Sequence, residues 1–253
     1  MDIVFGGVAV TVLTSAAEVL LATDHDPYVR GTLRKPDVSG WAGHGAVAWR
    51  ATDAEERVGY LMTLGEPAQV ANLIADLVGE IPTGTRVTLP RGTARLLPAW
   101  VAVDGTDWEF WWVDSPMPAQ RREGEATDVH PSEVAPLLAA ASPTASAQAD
   151  DPAVRRWLGV RGPAGLLACA ADTSGATGVG HLSSIAVHPD ARGQGLGSAV
   201  TAALTRRMFD EGCDLVTLGM YADNTAGFAL YGSLGMRNDH HFTSGPLQVR
   251  SRW

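Results

Sequence analysis

Apolar side chains recur along this chain with two different periods, and the change from one to the other marks out its elements. In the first half, Gly45-Ala-Val-Ala-Trp-Arg50 and Val58-Gly-Tyr-Leu-Met-Thr-Leu64 are short runs rich in strand formers, and each predicts a β-strand. Val70, Leu73, Ile74 and Leu77 then fall at helical spacing, which predicts a helix over 68–78. Glu66-Pro67 stands just ahead of it, where a helix tolerates proline. Arg86–Leu89 and Trp108–Val113 read as further strands.

The second half opens with a predicted helix over 132–141 and a loop rich in serine, alanine and proline. Strands are predicted at Arg155–Val160, Gly165–Ala170 and His181–Val187. Leu196, Val200, Leu204 and Met208 form one stripe of a helix over 196–209. Strand Leu215–Leu218, a short helix Thr225–Ser233 and a strand from Gly235 onward complete the pattern, with Gly212 and Gly232 placed as helix terminators. Between the halves, residues 115–125 carry two prolines, a glycine and clustered charges, and read as a linker. The halves share an order of strand, glycine-containing turn, amphipathic helix and strand. The helices over 69–78 and 198–208 are candidate counterparts in an internal repeat. The pattern therefore predicts an α/β (α+β) protein of two domains, 1–114 and 126–253, joined by the linker 115–125.

Composition narrows the function classes. Hydrophobic residues at 45% and charged residues at 19% belong to a globular chain rather than a disordered one. Nineteen basic and 28 acidic residues give a net charge of −9, which argues against a nucleic-acid partner and favours a cationic or neutral one. No run is long and apolar enough for a membrane helix. Asp2 and Glu18 spoil a secretory signal, and Cys169 and Cys213 read as free thiols of a reducing compartment, so a cytoplasmic protein is expected.

The segment richest in chemistry is Val187-His-Pro-Asp-Ala-Arg-Gly-Gln-Gly-Leu-Gly-Ser198, lying between a strand and an amphipathic helix. A glycine-rich turn lets backbone N–H groups converge, and a helix N-terminus adds about half a positive charge. Together they make a seat for a pyrophosphate, with Arg192 on hand for charge-assisted contacts. No Gly-Lys-Ser/Thr is present, so this is not a nucleoside triphosphate loop. Ser198 stands where a dinucleotide fingerprint needs its third glycine.

Arg192-Gly-Gln-Gly-Leu-Gly197 resembles the R/Q-x-x-G-x-G/A pyrophosphate loop of the GNAT superfamily of acyl-CoA-dependent N-acetyltransferases. Ile185-Ala-Val-His-Pro-Asp190 is similar to that family's central strand. Asp223-Asn-Thr-Ala-Gly-Phe-Ala-Leu-Tyr-Gly-Ser-Leu-Gly-Met236 is similar to its Asn-led second motif. The likeness covers about residues 126–245 and implies a mixed central sheet flanked by helices, with acetyl-CoA as the cofactor and a small-molecule or peptide amine as the acceptor.

The resemblance also implies roles residue by residue. Ile185, Ala186 and Val187 would offer main-chain hydrogen bonds to the pantetheine arm, which enters as an added strand between this bulged strand and Leu215–Leu218. Arg192, Gly193, Gln194, Gly195, Leu196, Gly197 and Ser198 would form the pyrophosphate loop. Asn224 would contact the pantetheine side, and its position equally suits a cap for the helix that follows. Tyr231 would protonate the leaving thiolate; at helical spacing from Phe228 it also reads as a core aromatic. The family's glutamate base stands six positions before Val187, and here that place is held by His181. Histidine, which ordinarily titrates at about 6.5, can serve there directly or through a water. It reads equally as a strand residue bonded to a neighbour. The N–H of Ile185 would polarise the thioester carbonyl. Direct transfer in a ternary complex needs no acyl-cysteine.

Other candidates are weaker. Leu64-Gly-Glu-Pro-Ala68 occupies the cradle position of the first half, and Glu66 would repel a pyrophosphate. The first half is therefore expected to be a degenerate GNAT-like repeat. His240 and His241 are adjacent and would point to opposite strand faces, which is poor geometry for one metal. Asp24-His25-Asp26 reads as a polar turn, and Trp108, Trp111 and Trp112 as packing residues. No metal site is expected. The rival reading is a non-catalytic acyl-CoA-binding module, consistent with the missing glutamate.

Overall fold

The computed structural model describes residues 2–5, 8–33, 37–51 and 60–250, and among these it has fourteen strands and six α-helices. In order they are β1 (Asp2–Phe5), β2 (Val8–Ser15), α1 (Ala16–Ala22), α2 (Pro27–Thr32), β3 (Asp37–Gly43), β4 (Ala46–Ala51), β5 (Tyr60–Leu64), α3 (Pro67–Leu77), β6 (Arg86–Pro90), β7 (Val101–Val103) and β8 (Thr106–Val113). There follow β9 (Thr127–Asp128), α4 (Pro131–Ala141), β10 (Arg156–Gly162), β11 (Gly165–Asp172), β12 (Val179–Val187), α5 (Leu196–Asp210), β13 (Leu215–Tyr221), α6 (Thr225–Ser233) and β14 (Arg237–Val249). Two positions of the predicted strand 58–64, Val58 and Gly59, lie outside the described residues.

The residues cluster into two compact units. The first contains residues 1–110, 221–223 and 240–253, and the second contains 111–220 and 224–239. In the first unit, β1 through β6 pair in chain order, all antiparallel except the parallel β5/β6 pair. Residues 242–246 of β14 then pair with β6. Strand alternation sorts the two faces. Ala46 and Ala48 of β4 pack with Val70, Leu73, Ile74 and Leu77 of α3. On the opposite parity, Trp49 meets Tyr28 of α2, ring centroids 5.6 Å apart. The Asp24–Asp26 turn is real: Asp24 and His25 adopt positive φ, and Asp26 caps α2 by accepting the Tyr28 N–H at 2.8 Å.

The second unit orders its strands β13-β12-β11-β10-β9, with β12 and β13 parallel and the other pairs antiparallel. Ala168 and Ala170 of β11 belong to the core under α5, with Leu196, Val200, Leu204 and Met208 all at most 2% exposed. Cys169 and Ala171, on the other face of the same strand, pack against Val134, Leu137 and Leu138 of α4. The sheet is thus mixed and covered by a helix on each face.

Two expectations change. Gly232 lies inside α6 rather than ending it, and the stop is made by Gly235, at φ +81. There the Met236 N–H donates back to Tyr231 O at 3.1 Å, a closure that favours glycine. Residues 115–125 are also not a solvated tether. Met117 is buried in the α5 core, and Arg206 of α5 donates to Glu123 Oε1 at 2.7 Å and to Met117 O at 3.1 Å. Within the segment Glu123 is answered by Arg206 and Arg122 by Glu125.

Burial pushes the Glu123 carboxyl up, but bonds from Arg206 and the Gln120 N–H outweigh it and hold it below the usual carboxylate range. A depressed carboxyl stabilises the fold above its unfolded pKa, and the contribution is lost as pH falls through the folded value. Glu123→Gln is therefore expected to cost under about 1 kcal/mol at neutral pH. In urea unfolding, that difference from the parent should vanish in strong acid.

Candidate functional site

One extra residue in β12 shapes the site. Cys169 of β11 faces Ala186 and Ala171 faces Ser183, so Ala170 alone stands opposite both Ser184 and Ile185. This is a β-bulge, and its first residue, Ser184, takes a left-handed conformation at φ +48. Such backbone is unfavourable for a residue with a Cβ. It is held by the loop after α4: the Ser184 hydroxyl donates to Ala147 O at 2.8 Å and accepts the Ala147 N–H at 2.9 Å.

The bulge reverses the side-chain alternation. Leu182 packs in the α5-side core, yet Ala186, also at an even position, packs in the α4-side core. Beyond it, Ile185 and Val187 lean on the α5 side. The parallel ladder to β13 runs from Val179/Leu215 to Leu182/Leu218 and stops there. The two strands part just past their last pair, at the bulge. Leu215–Leu218 is thus the paired stretch, and the gap opens after it.

A cleft of about 480 Å³ occupies this opening. Ile185, Ala186 and Val187 line one wall, and Arg192, Gly193, Gly195, Leu196, Gly197 and Ser198 form its end. Asn224, the N-cap of α6, and Tyr231 within it line the other wall. Of the residues named from the sequence, only Gln194 and His181 are not in the lining; Gln194 is exposed. Residues the sequence reading missed are Ala141 and Ser142 at the end of α4, Ala191, and Ala226, Gly227 and Leu230 of α6. The helical spacing of Asn224, Gly227 and Tyr231 could have signalled the α6 wall. Nothing local marks the end of α4.

The glycine loop has the chemistry of an anion seat. Gly193 and Gly195 both sit at φ +75, and a Cβ on either would meet no heavy atom within 4 Å. Gly195 is the N-cap of α5 and offers no side-chain bond, so the first-turn N–H groups face the cleft end without a cap. Gly197 serves a different purpose: a Cβ there would lie 2.7 Å from Leu230 Cδ1, so its smallness lets α5 approach α6. In the first unit, by contrast, α3 is self-capped. Gln69 Oε1 accepts the Glu66 N–H at 3.2 Å, and the Glu66 side chain accepts from the first turn in return.

Tyr231 is 7% exposed and its ring lies 5.9 Å from that of Trp111. Burial pushes its phenol up to about 12, so it stays protonated at neutral pH. Asn224 Oδ1 accepts the Gly227 N–H at 3.0 Å, so it caps α6 and lines the cleft at once. His181 sits one residue before the last pair of the β12/β13 ladder. Its Nδ1 lies 2.9 Å from Thr217 Oγ1, and its main-chain N–H donates to Ser174 Oγ at 2.9 Å.

The remaining candidates are structural. His240 pairs with Asp26 at 2.9 Å, while His241 pairs with the buried Glu109, so the neighbours diverge as strand residues do. Trp111 packs on Phe228, and Trp112 donates to Asp239 and carries Arg237 over its ring. Among the described residues no group of three or more His, Cys, Asp or Glu side chains could hold a metal, and no helix is long and apolar enough to cross a membrane.

Comparison with known proteins fits this geometry. Residues 120–236 match the acetyltransferase (GNAT) family. The matching segment contains the bulge, the glycine loop and α6. Among curated relatives, mycothiol acetyltransferases of Paenarthrobacter aurescens and Kocuria rhizophila are 41% identical over 70 residues and 42% over 62. Those stretches cover 27% and 24% of this chain but only 22% and 20% of the relatives' own lengths. Among solved structures, a GCN5-related N-acetyltransferase from Kribbella flavida superposes with TM-score 0.56 and 18% identity, covering 93% of this chain and 95% of that one. A GCN5-related N-acetyltransferase from Sphaerobacter thermophilus gives TM-score 0.52 at 16% identity, over 81% and 76%. The GNAT fold is shared.

Cys169 donates to Ser184 O behind the bulge, and burial pushes its thiol up to about 12. Alkylation of the native protein at neutral pH is expected to spare Cys169 and to modify it only on unfolding. Peptide mass spectrometry before and after denaturation checks this.

Proposed function

We propose that this chain is an acyl-CoA-dependent N-acetyltransferase that moves the acetyl group of acetyl-CoA to a primary amine. The observation that carries the reading is the junction of an uncapped α5 N-terminus with the gap opened by the β12 bulge, inside the segment that matches the GNAT family. The residues fit the nucleotide thioester. Gly193, Gly195, Gly197 and Ser198 present backbone N–H groups to a diphosphate, and Arg192 adds charge. The edges of Ile185–Val187 offer backbone groups to the pantetheine, with Asn224 on the facing wall.

When bound, acetyl-CoA supplies an activated acyl group as a thioester. The chain's part is to position and to manage protons. The bulged N–H of Ile185 stabilises charge on the acyl oxygen. Tyr231 holds a proton at Oη, kept there by burial, and delivers it to the departing sulfur. His181, at the vertex where β12 and β13 part, takes the proton of the acceptor ammonium, directly or through a water. No cysteine takes part.

The reading extends to the first unit as a degenerate repeat, with domains 1–114 and 126–253 and the segment 115–125 between them. Both units place a parallel strand pair, β5/β6 or β12/β13, either side of a helix. In the first unit the cradle is closed: Glu66 and Gln69 consume the α3 N-terminus, and Thr63 bonds across to Thr88 O at 2.7 Å. The acceptor is a small-molecule or peptide amine, and net negative charge favours a cationic one. Two unpaired cysteines support a reducing, cytoplasmic setting.

Gly195→Asp places a carboxylate at the diphosphate seat in a strained conformation, and should reduce acetyl-CoA affinity at least 100-fold by calorimetry. Unchanged affinity refutes the cradle. Tyr231→Phe should lower kcat by about 10²-fold while leaving acetyl-CoA affinity within a few-fold. Thiol release with an amine panel measures it, and an unaltered kcat removes Tyr231 as the acid. Acetyl-CoA binding without turnover of any amine would favour the binding-module reading instead.

A further inference from the structure

We infer that Thr217 is a positioning residue that sets which nitrogen of His181 carries the proton. The inference rests on the transferase reading, in which His181 is the base, and it adds a residue that neither the glycine loop nor α6 contains.

The argument starts from strand register. His181 and Thr217 are direct partners in the parallel β12/β13 ladder. The residues flanking Thr217, Val216 and Leu218, belong to the α5-side core, so Thr217 faces the other side of the sheet. Leu182 belongs to the same α5-side core, so His181 faces the other side as well. Their side chains therefore meet on one face, with His181 Nδ1 2.9 Å from Thr217 Oγ1. Thr217 is completely buried.

A hydroxyl has one proton to give. Thr217 Oγ1 also lies 3.2 Å from the main-chain oxygen of Gly180, and a carbonyl can only accept. With its proton directed to Gly180 O, the hydroxyl meets His181 as an acceptor. This contact favours a neutral His181 with its proton on Nδ1 and its lone pair on Nε2. Nε2 takes one proton from the acceptor ammonium, the ring becomes imidazolium without turning, and that proton passes to solvent before the next cycle. The main chain of His181 is held too: its N–H donates to Ser174 Oγ, and Ser174 is bonded to the fully buried Asp172. Threonine thus selects the tautomer in the way a carbonyl or carboxylate does beside other working histidines.

The test uses the full chain labelled with 15N-histidine, the wild type beside Thr217→Val and Thr217→Ser. In the wild type, above the His181 titration, long-range 15N–1H correlation should show Nδ1 protonated and Nε2 bare. Thr217→Val removes the acceptor at nearly constant volume and should let the neutral ring shift toward the Nε2-protonated form. With whichever of spermidine, benzylamine or an alanyl dipeptide turns over, its kcat should fall at least tenfold while KM for acetyl-CoA stays within twofold. Thr217→Ser should restore both tautomer and kcat. A wild-type His181 protonated on Nε2 overturns the inference even if the valine variant does not fold, as does an unchanged tautomer in Thr217→Val. If the Nδ1 tautomer is found but His181→Ala keeps full kcat, the base assignment fails and the inferred catalytic consequence falls with it.

Discussion

A single surplus residue in β12 is the constraint on which the second unit's architecture turns. Because side chains alternate with a period of two, adding one residue exchanges the faces of everything beyond it. Leu182 and Ala186 consequently serve opposite cores, and the ladder to β13 ends where the exchange occurs. His181 and Thr217 lie before the reversal and meet on one face. Ile185 and Val187 lie after it and line the cleft. The left-handed backbone at Ser184 costs about 1–2 kcal/mol. Two hydrogen bonds to Ala147 and the Cys169 contact beneath it offset that cost. The strain is local and the reversal reaches to the end of the strand.

The two amphipathic helices that follow the parallel strands show how small a difference separates an anion seat from a closed turn. Each begins beside a glycine-bearing segment, and each leaves its first N–H groups without intrahelical partners. At α3, Glu66 and Gln69 satisfy those groups reciprocally, and the carboxylate adds negative charge where an anion would sit. At α5, the cap is a glycine with nothing to offer, and the same groups point into a cleft. The helix dipole is common to both, so capping chemistry decides which terminus leaves its N–H groups open.

Burial settles the protonation of one group in the cleft wall and of one behind the bulge. Desolvation raises both the Tyr231 phenol and the Cys169 thiol to about 12. The phenol therefore stays protonated at neutral pH, and the Cys169 thiol behind the bulge is a poor nucleophile. This is the protonation pattern that direct transfer needs, with Tyr231 as the proposed acid.

Much of the second unit was legible because its signals are local. The stripe Leu196-Val200-Leu204-Met208 is a property of α5 alone, and the positive φ at Gly193 and Gly195 is available to glycine in any context. The cap at Asn224 depends on residues three apart. The first 43 residues yielded little, because α1 and α2 are seven and six residues long, too short for a helical period to emerge. Sequence reading also took residues 115–125 for a tether, since their charges look solvated until Arg206 is brought to Glu123. The amino-acid order by itself determined most elements of the second unit, the glycine turn and the helix that follows it. Only the tertiary structure decided where β12 gains its extra residue, which faces His181 and Thr217 share, and that the end of α4 closes the cleft. Those facts depend on register between strands and on partners tens of residues apart, and no pattern along one segment encodes them.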